Sequence, residues 1–185
     1  MAVTFKDMIN QTADFIKFDL EDDDDNEVEN RIKSGLNEGK NVLAQRFSMS
    51  ASESVTLDAD ACFDSEALSK PFWGLVRVLF NGAEAETAQT AGLIRCAAPA
   101  NASVTVEYEY IPDDMVNDTD VFPFPAAVPW RLLCYYAAMR YYEIKGTNTS
   151  LVKYKYWSGE FESGANMLRG GNKALRRRIK AVYDY

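Results

Sequence analysis

Apolar residues near the start of the chain recur at intervals of three and four, the spacing of helices with one buried face. The first series follows Thr4, whose hydroxyl can accept a backbone hydrogen bond at a helix start, and predicts a helix at residues 4–18. The second series predicts a helix at 25–47 with Gly35 and Gly39 on its apolar face. Since each glycine costs a helix about 1 kcal/mol relative to alanine, we expect this pair to permit close approach of a partner helix.

The pattern then changes to alternation of apolar and polar residues, which is typical of strands with one face in water. Alternation is clear at residues 55–63 and 104–110, and a denser apolar run occupies 72–80. That run ends at Asn81-Gly82, a strong signal for a tight turn between antiparallel strands. We therefore predict a mostly antiparallel β unit at residues 50–112.

The last third of the chain returns to helical spacing after a loop at residues 113–129 that is rich in proline and aspartate. Pro129 suits the first turn of a helix, and Gly146 is placed to end that helix in a left-handed conformation. A further helix is predicted at 149–168. Its apolar face contains Leu151, Tyr154, Phe161, Ala165 and Leu168. A glycine pair then breaks the pattern, so residues 170–185 are predicted to leave the domain as a tail.

These segments together predict an α+β protein of one domain with an insertion. A bundle of about four helices is formed by a helix pair at residues 1–48 and a second pair at 125–169. The β unit at 50–112 is inserted between the two pairs, and an extended C-terminal tail follows at 170–185.

Charge is distributed unevenly along this architecture. The net charge is −8. Residues 1–139 carry 10 Lys or Arg against 24 Asp or Glu, a net charge of −14, whereas residues 140–185 carry 10 against 4, a net charge of +6. The asymmetry indicates two surfaces with different electrostatic roles. An acidic majority also disfavours general nucleic-acid binding, which requires cations to neutralise phosphates.

Composition argues against most enzyme chemistry. The chain has no histidine, which removes Ser-His-Asp and Cys-His catalysis and the histidine-containing metal sites. Neither of the common glycine-rich phosphate-binding motifs occurs. Three cysteines, distant from one another, are interpreted as small buried side chains of a reduced protein. A pair of catalytic carboxylates is still conceivable among 28 acids, but none has a special sequence context. We predict a protein that is not an enzyme.

The acidic run at residues 22–25 invites a comparison with calcium-binding loops. Glu27 stands where such a loop needs glycine, and Lys33 stands where it needs glutamate. The run instead suits the positive N-terminal end of the second helix, or an acidic surface. We therefore predict no metal and no cofactor. The N-terminal residues lack the features of a signal peptide, and no apolar stretch is long enough to cross a membrane.

Aromatic residues are frequent in the last two predicted helices, where tyrosine and tryptophan serve both cores and interfaces. Neighbouring aromatics point to different sides of a helix, so one member of each pair can face another subunit. The residues assigned to a subunit interface are Tyr136, Tyr142, Tyr156 and Trp157. The tail combines cations with aromatic residues, a combination enriched at interface centres. Its predicted partner-binding residues are Arg176, Arg177, Arg178, Ile179, Lys180, Val182, Tyr183 and Tyr185.

The layout and several segments resemble bacteriophage head–tail connector adaptors. The resemblance covers roughly residues 4–168. Residues 104–112 are similar to the strand that precedes the helix pair in that family, and an acidic, proline-containing stretch around 118–120 follows. Residues 132–143 and 153–162, with their repeated tyrosines, resemble the helix pair itself.

This resemblance implies a ring of about a dozen copies beneath the portal protein, which prolongs the DNA channel and carries a downstream neck or tail protein. The tail at residues 170–185 would anchor the ring to the portal. The family has no catalytic residues to carry over. Because acidic side chains repel DNA phosphates, we expect part of the acidic surface to face the channel. The residues assigned to it are Asp22, Asp23, Asp24, Asp25, Asp113 and Asp114. The expected location is the virion neck, with the host cytoplasm before assembly.

Two alternative functions are also compatible with the sequence. The first is a tail-completion or neck protein of the same particle, which would copurify with the tail tube. The second is a cytosolic regulatory or nucleic-acid-binding module that uses the basic C-terminus, and its binding to DNA would depend on salt.

Overall fold

A computed structural model describes the backbone of residues 2–17, 26–90, 92–145 and 147–182, with side chains in these ranges except at 144, 145 and 169–182. The helices are α1 (Phe5–Ile16), α2 (Asn26–Phe47), α3 (Arg131–Lys145) and α4 (Asn148–Val182). The strands are β1 (Ser50–Thr56), β2 (Cys62–Asp64), β3 (Phe72–Phe80), β4 (Ala83–Ala85), β5 (Thr87–Thr90), β6 (Leu93–Cys96) and β7 (Ser103–Tyr110). Helices combined with antiparallel sheets confirm the predicted α+β class. The predicted left-handed cap at Gly146 lies outside the described residues.

The chain divides into two compact units. The helical unit comprises residues 1–47 and 114–185, and the β unit comprises Ser48–Asp113. The β unit is thus an insertion between α2 and α3 in chain order.

The first helix starts where the sequence predicts it. Thr4 is extended, and its hydroxyl accepts a hydrogen bond from the Asp7 N–H at 3.2 Å. The Asp7 carboxylate in return accepts the Thr4 N–H at 2.9 Å, so the two residues form a capping box. These bonds hold the pKa of Asp7 below its usual value, the backbone bond contributing most. The helix ends at Lys17, which adopts a left-handed conformation with φ 56°.

A second carboxylate stabilises the loop that precedes α3. The Asp120 carboxylate accepts the backbone N–H groups of Val116 and Asn117 at 2.7 and 2.8 Å. These two bonds hold the pKa of Asp120 below its usual value. In the folded chain, Asp7 and Asp120 therefore lose their charge at a lower pH than in the unfolded chain.

Acidification is expected to remove this stabilisation. A carboxyl whose pKa is depressed by folding stabilises the protein above its unfolded pKa, and that contribution is lost as pH falls through the folded pKa. We expect the double variant Asp7→Asn, Asp120→Asn to be less stable than the wild type at pH 7, and the difference to shrink below about pH 4. Urea unfolding at a series of pH values measures this. A stability difference that stays constant from pH 7 to pH 2.5 would contradict the assignment.

The glycine pair of α2 allows close approach of another helix, as the sequence predicts. A Cβ atom added at Gly35 would lie 3.0 Å from the Cα of Ala137 in α3, and one added at Gly39 would lie 3.0 Å from the ring of Tyr136. Both glycines are buried. Their missing side chains let α2 and α3 pack at nearly backbone-to-backbone distance, which offsets their cost in helix propensity.

The core of the helical unit contains residues from all four helices. Its fully buried members include Phe5, Met8, Ile9, Ile32, Leu36, Leu43, Leu133, Ala138 and Phe161. Two hydrogen bonds of turn type, from Leu132 N–H to Pro129 O and from Leu133 N–H to Trp130 O, precede α3. Pro129, predicted to lie in the first turn of this helix, thus stands two residues before its first residue, Arg131.

The end of α4 differs from the prediction. The spacing of apolar residues predicts an end near residue 168, but the backbone stays helical through the glycine pair to Val182. Glycine lowers helix stability by about 1 kcal/mol relative to alanine without removing a backbone hydrogen bond. Strong helix formers such as Lys, Ala, Leu and Arg occupy residues 173–178, and they favour continuation. The first part of the predicted tail is therefore an extension of α4.

The β unit contains two antiparallel sheets. One has the strand order β1-β7-β3-β4 and the other the order β2-β6-β5. The predicted tight turn joins β3 to β4, where Asn81 and Gly82 both have positive φ, 52° and 80°. These two left-handed residues are what a two-residue hairpin loop requires.

The single strand predicted at 55–63 is wrong, because the chain turns a corner there. Strand β1 ends at Thr56 and β2 begins at Cys62. Between them the Asp58 carboxylate accepts the backbone N–H groups of Asp60 and Cys62 at 2.9 and 2.8 Å. Ala61 takes a left-handed conformation with φ 57°. Aspartate bonded to backbone groups two and four residues ahead forms a turn, and this local bonding overrides the alternating pattern.

Both sheets contribute to one hydrophobic core in the β unit. Its buried members are Leu57, Phe63, Leu68, Val78, Ile94, Cys96, Val104, Val106 and Tyr108. Tyr108 lies wholly inside, with its hydroxyl donating to the carboxylate of Glu53 at 2.6 Å and accepting the Lys70 N–H at 3.2 Å. Burial of this hydroxyl is therefore matched by hydrogen bonds.

Candidate subunit interface

Helix α4 has apolar residues on two opposite sides. Phe161 and Ala165 are buried against the rest of the helical unit, each with 1% of its surface exposed. The opposite side, which we call the outer α4 face, comprises Val152, Tyr156, Gly159, Ser163 and Met167. At 100° per residue these five positions lie within one narrow stripe, about half a turn from the buried side.

The outer α4 face is exposed and carries no charge. Val152, Tyr156 and Met167 are 69%, 58% and 76% exposed, and a Cβ added at Gly159 would meet nothing within 4 Å. A helix whose partner is water normally places charged residues opposite its buried stripe. An uncharged, largely apolar side is instead typical of a surface that packs against another protein.

The buried side of α4 fixes the helix firmly. Arg46 of α2 forms two hydrogen bonds with the Glu162 carboxylate, at 2.7 and 2.6 Å, and its guanidinium lies 5.1 Å from the Phe161 ring centroid. The Phe161 ring also meets Tyr136 of α3 edge-on, with 5.1 Å between centroids. A paired guanidinium and two perpendicular rings therefore hold α4 in a defined rotation, which fixes where the outer α4 face points.

The four aromatic residues predicted to form a subunit interface have different environments. Tyr142 is 6% exposed and donates its hydroxyl to the Ile16 carbonyl, so it belongs to the core of its own helical unit. Tyr136 is partly buried against Phe161. Successive aromatics on α3 point to different sides, but here both sides are covered by other helices of the same unit. Tyr142 is accordingly assigned to intrachain packing, and for the partly exposed Tyr136 the interface role stays a prediction.

Tyr156 and Trp157 form the part of that set nearest the surface. The Trp157 ring stacks on Phe15 at 4.7 Å and on Tyr135 at 5.6 Å, which leaves it partly exposed. Tyr156 meets Trp157 edge-on at 4.8 Å and is more than half exposed. The interface prediction therefore now depends on Tyr156 together with Val152 and Met167, which the sequence reasoning missed. The missed signal was an uncharged stripe at spacings of four, three, four and four.

The predicted acidic surface is described only in part. Asp22 to Asp25 lie outside the described residues. Asp113 is exposed beside a shallow polar pocket that includes Ser65 and Lys70. Asp114 is exposed as well, but its carboxylate accepts a hydrogen bond at 2.6 Å from the Lys40 ammonium, whose side chain is 1% exposed. Asp114 is thus half of an ion pair within the helical unit and not a free acidic group.

The predicted tail begins as helix. The backbone at Arg176, Arg177, Arg178, Ile179, Lys180 and Val182 belongs to α4, while Tyr183 and Tyr185 lie outside the described residues. A 35-residue helix is about 50 Å long at 1.5 Å per residue. The basic segment therefore continues the axis of α4 beyond the residues that pack on α2 and α3.

Within the described ranges, no group of three or more Cys, Asp or Glu residues is arranged to hold a metal ion. The cysteines are free thiols, and burial raises the pKa of Cys134 to about 12. A thiol with that pKa stays protonated and unreactive at neutral pH. No helix in the described part of the chain is both long and apolar enough to span a membrane.

Comparison with known proteins assigns no family. No protein-family model matches the chain, and no curated protein matches it in sequence.

Proposed function

We propose that this protein is a structural virion protein that forms an adaptor ring between the portal and the tail of a bacteriophage. The ring would prolong the DNA channel without binding DNA specifically, and about a dozen copies would form it. One observation carries the proposal: α4 is fixed to its unit on one side and presents an exposed, uncharged apolar stripe on the other.

A ring of identical subunits requires two different surfaces that fit each other, because each contact is heterologous. The outer α4 face supplies one such surface. Its exposed residues Tyr156 and Met167 are of types enriched at interfaces, and Gly159 leaves room for close approach of a neighbour. This arrangement supports self-assembly as the role of the helical unit.

The basic end of α4 supports a separate contact with the portal. It follows the outer α4 face along the same helix, so one helix links the contact with neighbouring subunits to the contact with another protein. A cationic segment that ends in aromatic residues has the composition of an interface centre. The protein would occupy the virion neck and, before assembly, the host cytoplasm.

Two variants separate these contacts when the chain is coexpressed with the portal protein of its own virus. Removal of residues 172–185 should leave the far-UV circular dichroism and unfolding midpoint of the body almost unchanged, while the truncated chain no longer coelutes with the portal. The double variant Val152→Glu, Met167→Glu should fold but fail to form rings, because it places two charges on the outer α4 face. Light scattering after size exclusion and negative-stain microscopy measure both results.

Lys155→Glu is the matched control, because it adds a carboxylate at an exposed position of the same helix beside the outer α4 face. Its rings should persist. Coelution of the truncated chain with the portal at wild-type level contradicts the anchoring role. Copurification with the tail tube alone would favour the neck or tail-completion alternative. Retention on DNA at low salt, lost on truncation, would favour the nucleic-acid-binding alternative.

A further inference from the structure

One edge of the larger sheet in the β unit is open. Among the described residues, β1 pairs with β7 on one side only and is the terminal strand of the order β1-β7-β3-β4. The pairing is continuous from Ser50 opposite Glu109 to Thr56 opposite Ser103, with no bulge. A regular strand of seven residues at the end of a sheet is a template for pairing with another chain.

The hydrogen bonds at its two ends show which backbone groups of β1 are free to pair. Tyr110 N–H donates to Met49 O and Leu57 N–H donates to Ala102 O, both at 2.9 Å. In an antiparallel ladder, every second residue of a strand directs both its N–H and its C=O to the same neighbouring strand. The odd-numbered residues of β1 therefore bond β7, and the even-numbered residues direct their N–H and C=O groups to the open edge. No backbone hydrogen bond from the described residues reaches Ser52 or Ser54 from that side.

The side chains of β1 determine what a further strand would meet. Ser50, Ser52, Ser54 and Thr56 are exposed on one face. On the other face Ala51 and Val55 are partly buried against the hydrophobic core of the β unit, and Glu53 lies between them. An added strand would thus continue the core at two positions and face a carboxylate at the position between them.

Glu53 is held as an anion without a cation. Its Oε1 accepts the Tyr108 hydroxyl at 2.6 Å and the Ser69 N–H at 2.9 Å. These bonds, that of Tyr108 first, hold the pKa of Glu53 below its usual value. Among the described residues, none of the ion pairs includes Glu53. Neutral donors, which include the Ser69 hydroxyl, fix this charge in place without neutralising it.

The carboxylate also discriminates between possible occupants of the edge. Pairing of β1 with β1 of a second copy about a two-fold axis at its centre would set Glu53 opposite Glu53, and like charges directly opposite are destabilising. An inward-pointing charge is a recognised protection of an edge strand against its own kind. A strand with a cation at that position would be attracted instead.

We propose that the open edge of β1 binds an extended segment of a partner protein whose inward-facing residues are apolar, basic and apolar at alternate positions, with Lys or Arg beside Glu53. The backbone groups of Ser52 and Ser54 supply affinity that does not depend on sequence, and Glu53 with the apolar residues that flank it supplies selectivity. This interaction is independent of ring formation, because it uses the β unit alone.

Two labelled peptides test the proposal on the full chain. One has lysine at the centre of an alternating threonine and valine segment, Thr-Val-Thr-Lys-Thr-Val-Thr, and the other has glutamate in place of lysine. Fluorescence anisotropy should show that the lysine peptide binds about fivefold or more tightly than the glutamate peptide, the size expected of a cross-strand charge pair. Hydrogen exchange should show protection of the Ser52 and Ser54 amides by the lysine peptide.

The variant Ser52→Pro tests whether peptide binding uses the backbone of the open edge. Ser52→Pro removes an N–H that points away from β7, so the sheet should remain folded, since proline is tolerated on such edges. We expect this variant to lose at least about tenfold in affinity for the lysine peptide, whereas Ser52→Thr, which keeps the N–H, binds as the wild type does. Glu53→Gln should reduce the preference for lysine over glutamate to nearly one.

Three results would overturn the proposal. The first is equal binding of both peptides to the wild type, and the second is unchanged binding by Ser52→Pro. The third is concentration-dependent self-association of the wild type that Ser52→Pro abolishes, because the occupant would then be a second copy of the chain. None of these results bears on the portal contact, which the truncation of residues 172–185 tests separately.

Discussion

Valine at position 35 should destabilise the helical unit by about 3 kcal/mol. A Cβ at this position lies 3.0 Å from Ala137 Cα and 3.1 Å from Ala137 Cβ, closer than ordinary van der Waals contact. The obstructing atom is backbone, so no side-chain rotation relieves the clash, and α2 must move away from α3. The two further methyl groups of valine add to this displacement. Urea unfolding, compared as free energies from midpoint and slope, measures the effect.

The same substitution at Gly159 is the matched control. Gly159 is also within a helix, but a Cβ there meets nothing within 4 Å. Because valine has a somewhat better helix propensity than glycine, Gly159→Val should be neutral or stabilise the isolated chain by about 0.5 kcal/mol. Gly35→Ala should lie between these cases, since its gain in propensity of about 1 kcal/mol opposes a single tight contact. Equal effects of valine at positions 35 and 159 would show that α2 and α3 are not in close contact.

The role of the α2 glycines could be predicted because it is a property of one helix. The spacing of residues places them on an apolar stripe, and because glycine lowers helix stability, two glycines there indicate close packing. The α+β class, the capping of α1 by Thr4 and the Asn81-Gly82 hairpin could be predicted for the same reason. Each depends on residues that are neighbours in sequence, so local preferences and the final structure agree.

Other features depend on partners that are distant in sequence. Tyr142 and Tyr156 are both tyrosines on helices, yet Tyr142 is 6% exposed and bonds the Ile16 carbonyl of α1, whereas Tyr156 is 58% exposed beside its sequence neighbour Trp157. Periodicity places Leu151 on the apolar side of α4, but it is 52% exposed at an open pocket that Tyr142 and Glu143 of α3 also line. Such differences are fixed by which helices surround a position, and the spacing of residues along one helix does not contain that information.

The corner between β1 and β2 illustrates a different limit. Apolar and polar residues do alternate at 55–63, and this pattern fits both one continuous strand and a strand that ends at Thr56. The Asp58 carboxylate decides between them by bonding two N–H groups that a continuous strand would use for pairing. A pattern that counts aspartate only as a polar position does not show that its carboxylate competes with a neighbouring strand for backbone N–H groups. The open edge of β1 was also invisible to it, because pairing partners are a property of the whole sheet.

Truncation of Phe161 to alanine is expected to cost about 3–5 kcal/mol, the range found for large aromatic residues in cores. The ring is 1% exposed, lies edge-on to Tyr136 and beneath the Arg46 guanidinium, and fills the junction of α2, α3 and α4. Phe161→Leu keeps most of the volume and should cost under about 1.5 kcal/mol. Met167→Ala, on the exposed side of the same helix, should change stability by no more than about 0.5 kcal/mol.

Phe161 also links stability to the proposed assembly. If it fixes the rotation of α4, Phe161→Ala should lose ring formation at temperatures where its far-UV circular dichroism is still that of a folded protein, because the outer α4 face is no longer held in one direction. Met167→Ala should show the opposite combination, with normal stability and weakened rings. Should Phe161→Ala cost less than 1 kcal/mol, α4 would not be anchored at this point. The Arg46 and Glu162 pair alone would then have to hold the helix, and a half-exposed ion pair is too weak to do so.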